Sequence, residues 1–201
     1  MKKSSKPTLL LHSCCAPCLT SVFEQLKDDF DITIFWFNPN IFPIEEYNRR
    51  LKELKRYCKI IKTPLIIGDK IPEDANSWHL LTRGLENEIE GGKRCKICIK
   101  MRLLYTGKFA EENNFDYFTT TLSISPHKNS YMINNIGKEV ASKIYNKSFD
   151  SAQDDDKHVV TFLDRDFKKN NGYKRSTEIC KEFNIYRQKY CGCGPSMGKI
   201  Q

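Results

Sequence analysis

Seven of the chain's nine cysteines fall into three tight clusters spread across its length. Cys14, Cys15 and Cys18 lie in His-Ser-Cys-Cys-Ala-Pro-Cys, Cys95 and Cys98 in a C-x-x-C, and Cys191 and Cys193 in Cys-Gly-Cys. Several thiolates held close together repel one another unless a metal shares their charge, so a fold that unites the clusters is expected to wrap a metal centre. The segments around residues 14, 95 and 192 then have to meet. An odd cysteine total speaks against a purely disulfide framework.

The stretches between the clusters alternate short apolar runs with helical patterns. Thr8–His12 reads as a strand, and Pro17 opens a helix with Leu19, Val22, Phe23 and Leu26 at helical spacing. Asp31–Phe37 reads as a second strand, Pro43 to about Cys58 as a helix, and Pro64–Gly68 as a third strand. A helix is expected from about Arg94 to Asn113, carrying Cys95 and Cys98 on its first turn. Phe115–Leu122 follows as a fourth strand, Tyr131–Tyr145 as a helix and Val159–Leu163 as a fifth strand. A last helix from about Ser176 to Gln188 is expected to deliver Cys-Gly-Cys.

Strands separated by helices, with no hairpin signal, imply parallel strands joined by right-handed crossovers. The predicted fold is α/β: a three-layer sandwich with a mostly parallel, Rossmann-like (HUP-like) sheet of about five strands. Ligands bind such sheets at the strands' carboxyl ends, where Cys14–Cys18 and Ser123–Lys128 both fall. At 201 residues the chain reads as one domain. Asn146–Lys157 breaks the pattern; polar, acidic and aperiodic, it reads as a flexible insertion, and Asp154–Asp156 as a solvated loop rather than a metal site.

The first cluster sits on a strand-to-helix turn, where backbone N–H groups and the helix dipole favour thiolate. With Cys95 and Cys98 it supplies enough sulfur for a four-cysteine zinc site or a [4Fe–4S] cluster. Cys14 and Cys15 are adjacent, so their side chains are expected to diverge and serve different metals. Seven thiolates exceed what one tetrahedral zinc needs; a cluster plus a second metal accounts for them all. Cys58 and Cys180 lie on helical stripes and read as packed thiols. His12 is placed to tune a ligand or move a proton, or to serve as a hydrogen-bonded structural group. No P-loop, G-x-G-x-x-G or Ser-Gly-Gly-x-Asp-Ser loop is present, which argues against ATP chemistry.

A net charge of +8 favours a polyanionic partner. No apolar run approaches bilayer length and the N-terminal run is too short for a signal peptide, so a cytoplasmic chain without membrane association is expected.

Across nearly its whole length the chain resembles the QueH-type epoxyqueuosine reductases. The resemblance rests on His12–Cys18, on Phe37–Pro43 with Glu46, Tyr47 and Arg50, and on Gly84-Leu-Glu. It continues through Gly91–Cys98 with Arg102 and Leu103, Phe118–Lys128, and Asp166–Tyr173 with Arg175 and Ser176, and ends in Tyr186–Cys193. The insertion at 146–157 departs from that pattern and touches no motif. The resemblance implies a cobalamin-independent iron–sulfur enzyme of the cytoplasm that reduces epoxyqueuosine at the tRNA wobble position to queuosine. It implies a [4Fe–4S] cluster with a second, mononuclear iron beside it: Cys15, Cys18, Cys95 and Cys98 are carried over as the cluster ligands and Cys14, Cys191 and Cys193 are assigned to the second iron, with the places of Cys14 and Cys15, divided only by the expected side-chain divergence, open to exchange. The reaction consumes two electrons from an unidentified donor and two protons, for which His12 and Asp166 are the candidates. Lys128, Arg175, Arg187 and Lys189 are candidate contacts for tRNA phosphates. Two other readings stand beside it: an iron–sulfur tRNA thiolation enzyme, and a zinc-stabilised RNA-binding module without catalysis.

Overall fold

The computed structural model describes residues 6–70, 73–150 and 158–194. Five strands form one sheet: β1 (Thr8–His12), β2 (Asp31–Trp36), β3 (Leu65–Ile67), β4 (Tyr117–Thr120) and β5 (Thr161–Phe162). Their order is β3-β2-β1-β4-β5 and every pairing is parallel. This is the expected Rossmann-like α/β sheet, with the crossover from one half to the other beside central β1.

Alternation along the strands builds a core on each face. Leu9 and Leu11 of β1 and Ile32, Ile34 and Trp36 of β2 pack into one core; Leu10 and Phe35 turn into the other. The first face is covered by α1 (Ala16–Leu26), α2 (Ile44–Ile60) and α6 (Gly172–Glu182), the second by α4 (Lys93–Glu112) and α5 (Ser130–Asp150). Leu9, Leu10 and Leu11 are wholly enclosed, each burial stabilising the fold by roughly 1.5–3 kcal/mol. Cys58 and Cys180 lie inside the first core, as their apolar stripes predict.

Several boundaries differ from the sequence expectation, each for a local reason. β4 stops at Thr120, whose hydroxyl accepts from Leu122 N at 3.2 Å and starts a 3-10 turn over Thr121–Ile124. α5 starts at Ser130 and carries its backbone to Asp150, into the stretch expected to be an irregular insertion; residues 151–157 lie outside the described residues. The sequence reading missed α3 (Glu73–Leu81), of which only Trp78 is buried, so it carries almost no apolar stripe.

The last helix is the largest correction. It ends at Glu182, before Gln188, because Asn184 adopts φ 48° and closes a Schellman cap. Ile185 N donates to Cys180 O at 2.8 Å and Asn184 N to Lys181 O at 3.3 Å. Residues 185–193 are therefore an irregular strap rather than helix. Among the described residues, no helix is long and apolar enough to cross a membrane.

Candidate metal centre

The first cysteine set forms where β1 gives way to α1. Cys15 is the extended N-cap of α1 (φ −174°, ψ 158°), and Pro17 stiffens the first turn. Ser13 N donates to Phe35 O (2.9 Å) and Asn38 Nδ2 donates to Ser13 O (2.9 Å), tying the turn to the end of β2. The sulfurs of Cys14, Cys15 and Cys18 all lie within 4.8 Å of one another. The expected divergence of Cys14 and Cys15 is thereby corrected: their sulfurs stand 3.8 Å apart. Cys14 occupies a bend rather than a strand, so the alternation that separates neighbours on a pleat does not act there.

The second set comes from α4 and the strap. Gly91 N donates to Cys95 Sγ at 3.2 Å. One nitrogen of Arg94, Nη1, binds the carbonyls of Leu85, Glu86 and Glu88 at 2.9–3.0 Å, fixing the loop before the helix. The strap is anchored by Arg50 of α2, a side chain 1% exposed. Arg50 Nη1 donates to Cys191 O and Nη2 to Tyr190 O, both at 3.0 Å, while Nε pairs with Glu46 at 2.7 Å. The Tyr186 hydroxyl donates to Glu46, and Phe42 N donates to Gly192 O at 2.7 Å. Gly192 has φ +120°, and a β-carbon there would stand 2.9 Å from Arg50 Nη1, so the residue between the two cysteines has to be glycine. Cys95, Cys98, Cys191 and Cys193 line one small cavity of about 20 Å³, beside Asn40 and Trp78.

A larger cavity of about 390 Å³ opens at the carboxyl edge of the sheet, with Cys14 and Cys18 on one side and Ser125–Lys128 on another. Arg102, Lys128 and Cys191 line both cavities and so form the partition between them. Arg102, 3% exposed, donates from Nε to Cys98 O at 3.2 Å. Lys128 Nζ lies 3.2 Å from Cys191 Sγ and 3.3 Å from Glu90, while Lys168 Nζ donates to Lys128 O at 2.7 Å.

The charges follow this layout. Hydrogen bonds from Cys15 and Cys18, then Arg102, hold the Cys14 thiol well below its usual range. A hydrogen bond from Cys193, then Lys128 and Arg102, does the same for Cys191. Burial first, and the proton it shares with Cys14, push Cys15 up; hydrogen bonding to Cys14 and Cys15 pushes Cys18 up. Burial raises Cys98. Burial alone would discharge Lys128, but the Cys191 thiolate and Glu90 outweigh it and raise its pKa. In each set one thiol is thus favoured in its ionised form by a neighbouring cation, and a bound metal would displace the remaining protons. The donors fit a thiolate-bound metal centre in number, softness and compensating charge.

The remaining predicted residues fall in varied places. His12 is wholly buried; Nε2 meets Phe37 O at 3.2 Å and Nδ1 meets Thr120 Oγ1 at 2.8 Å. Burial, then Arg102, lowers its pKa to about 4, so it is the neutral imidazole that joins β1 to β4 and to the residue that follows β2. Asp166 accepts from Ser130 Oγ at 2.9 Å and from Lys168 N at 3.1 Å, and does not line the cavity. Arg175 is exposed and forks onto Glu24 at 2.7 and 2.9 Å. Arg187 and Lys189 are exposed and line the large cavity, as does Lys128 from within. Sequence reasoning assigned no role to Arg50, Arg94, Arg102 or Gln188. Their signal was membership of the motifs that carry the resemblance, with Arg94, Arg102 and Gln188 also close to cysteines; an arginine in a helix reads as solvated surface until the fold buries it.

A Rossmann-like sheet whose carboxyl edge gathers three cysteine clusters beside buried cations defines a candidate thiolate-bound metalloprotein. The family model described as epoxyqueuosine reductase QueH matches residues 9–199. The chain is 42% identical over 198 residues to the epoxyqueuosine reductase QueH of Streptococcus pyogenes serotype M1, covering 96% of this chain and 71% of that protein. It is 40% identical over 197 residues to that of Staphylococcus epidermidis (96% and 77% covered) and 34% identical over 187 residues to that of Thermotoga maritima (92% and 88%). The chain belongs to the epoxyqueuosine reductase QueH family.

Proposed function

We propose that this protein reduces epoxyqueuosine to queuosine at the wobble position of tRNA, the last step of queuosine biosynthesis, in the cytoplasm and without cobalamin. The observation that carries the reading is the cavity. At about 390 Å³ it matches the size of a nucleoside-binding pocket, and Cys14 and Cys18 line it together with the exposed cations Arg187 and Lys189.

Deoxygenation takes two electrons and two protons per epoxide, and the oxygen leaves as water. The convergence of the Cys14, Cys15 and Cys18 sulfurs, and the small cavity that the other four cysteines line together, support a three-and-four division of the ligands in place of one that separates Cys14 from Cys15. Cys95, Cys98, Cys191 and Cys193 give the four thiolates a [4Fe–4S] cluster takes, and Cys14, Cys15 and Cys18 would hold the second iron with a position open to the cavity. Bound there, the pair would supply single electrons and a Lewis acid for the epoxide oxygen.

The protein's own residues set the stage for that chemistry. Arg102 and Lys128 offset the thiolate charge from the partition and hold the two sets side by side. His12, with both ring nitrogens engaged, orients the turn that carries Cys14 and Cys15 rather than donating a proton. Asp166 fixes the start of α5 and the Lys168 backbone. The two protons are thereby left to solvent in the open cavity. Arg187 and Lys189 are the proposed phosphate contacts; Arg175 is occupied by Glu24, an exposed pair of small energetic weight. The electron donor is a separate reductant.

The test is protein purified without oxygen, assayed for iron, sulfide and zinc and then given epoxyqueuosine tRNA with a chemical reductant. About four sulfides with four to five irons per chain, and queuosine in the digested tRNA, are expected. Zinc without sulfide after attempted reconstitution would leave an RNA-binding module, and sulfur appearing in the tRNA would point to thiolation.

A further inference from the structure

One wall of the large cavity, Ser125–Lys128, carries no cysteine. It is a tight turn: Lys128 N donates to Ser125 O at 3.2 Å, and Pro126 takes the second position, where its fixed φ suits the turn. His127 N donates to Ser125 Oγ at 3.3 Å. Both ends are held, by the 3-10 turn over Thr121–Ile124 before it and by Lys168 on Lys128 O after it. The turn therefore presents the exposed His127 side chain at a fixed place on the cavity wall.

Of the chain's four histidines, His127 is the one that lines this cavity. His12 spends both ring nitrogens inside the sheet, whereas the His127 ring has no hydrogen-bond or ion-pair partner among the described residues. The other polar groups of the cavity are less suited to deliver a proton. Arg102 and Arg187 keep theirs permanently. Lys128 is committed to Cys191 and Glu90, and Glu90 to Lys128. Tyr190 Oη donates to Phe42 O, and Tyr173 Oη accepts from Arg187 Nη2 at 3.1 Å. Gln188 has no acidic proton and is turned onto Cys15, its Nε2 3.0 Å from Sγ and its Oε1 buried without a partner. Cys14, Cys18 and Cys191 are proposed metal ligands. Lys189 is a proposed phosphate contact, and an ammonium or a phenol is a far weaker acid than an imidazolium.

We propose, resting on the reductase reading above, that His127 is the proton donor of the deoxygenation, passing protons from solvent to the epoxide oxygen. An occupant that fills about 390 Å³ meets the Ser125–Lys128 wall on one side and Cys14 and Cys18 on another. As two electrons arrive from the separate reductant, both C–O bonds of the epoxide break and a carbon–carbon double bond forms. The His127 imidazolium gives one proton to the oxygen as the first C–O bond opens. Its exposed ring then takes a second proton from solvent and gives it up as the oxygen leaves as water.

Single-turnover reduction of epoxyqueuosine tRNA by chemically reduced, iron-loaded protein tests this, with iron, sulfide and tRNA affinity measured beside it. His127→Gly is expected to slow the step about 100-fold, the weight of one positioned acid, with iron, sulfide and affinity unchanged. Added imidazole is expected to restore part of that rate from the space the side chain vacates. His127→Asn suits the turn but lacks the acid, and is expected to be slowed as much. Only the protonated ring donates, so the wild-type rate is expected to fall as pH rises between about 6 and 8, a limb that both variants lose. A wild-type rate in either variant overturns the proposal, as does a loss that tracks iron or tRNA affinity and resists imidazole, which a structural role produces. A wild type that reduces no epoxyqueuosine overturns the functional reading and this inference with it. Turnover by wild type with unchanged rates in the variants removes His127 alone.

Discussion

Cys14, Cys15 and Cys18 are placed by a regular strand-to-helix turn, whereas Cys191 and Cys193 arrive on a strap with no secondary structure of its own. In the first region short-range geometry shapes the turn that carries the cysteines: a strand end, an extended N-cap and a proline. In the second, position depends on polar groups more than a hundred residues away in sequence, above all Arg50 and Glu46. A metal site can therefore join one half that is locally encoded to another that exists only once the core has formed. The strap is expected to be the half that fails first.

Removing its anchor is the most severe way to break the contrast. Arg50→Met strands Glu46 in a buried position and frees two carbonyls, at a cost of about 3–5 kcal/mol. The melting temperature is expected to fall by roughly 10 °C. In metal-free protein, alkylation of Cys191 and Cys193 should accelerate far more than that of Cys14 and Cys18, as mass spectrometry of peptides would show. Equal acceleration at both sets would mean that the two halves order together.

Gly192→Ala is a narrower cut. It forces a β-carbon into φ +120° and against Arg50, for about 1–3 kcal/mol. Its expected signature is a modest loss in chemical denaturation, with the packing of α1 untouched. A variant as stable as wild type would show that the strap relaxes without Arg50.

The smallest expected effect sharpens the other side. The first region has distant ties too, and one runs through Asn38: its Nδ2 binds Ser13 O, while its N donates at 2.8 Å to Asp69, which also accepts from Tyr47 Oη at 2.8 Å. Burial raises its pKa to about 6 from 3.8. The folded state then binds a proton that the unfolded state has lost, so this group's contribution is full below about pH 4 and declines as pH rises through about 6. Asp69→Asn is expected to remove that decline from a denaturation series between pH 4 and 7. An unaltered pH profile would show that Asp69 titrates normally.

Much of the scaffold was legible because it follows from periodicity. Leu9, Leu10 and Leu11 sit on alternate faces of a parallel strand, and Leu19, Val22 and Leu26 line one stripe of α1; neither depends on distant partners. The failures have a common cause as well. Asn184 ends α6 by adopting a left-handed conformation that helical periodicity does not register. Cys14 and Cys15 converge because a bend replaces the pleat. Arg50, Arg94 and Arg102 drew no role from the sequence, yet the fold buries all three.

By itself the sequence determined the strand order's raw material, the three cysteine clusters, the family resemblance and the carboxyl-edge location of the site. All of these depend on spacing between near neighbours in the chain. Only the tertiary structure decided which sulfurs meet, which cations stand between them and which residues line the cavity. Those depend on distances between segments far apart in sequence, and on burial, which turns an ordinary arginine or glutamine into a fixed charge or an unpaired acceptor.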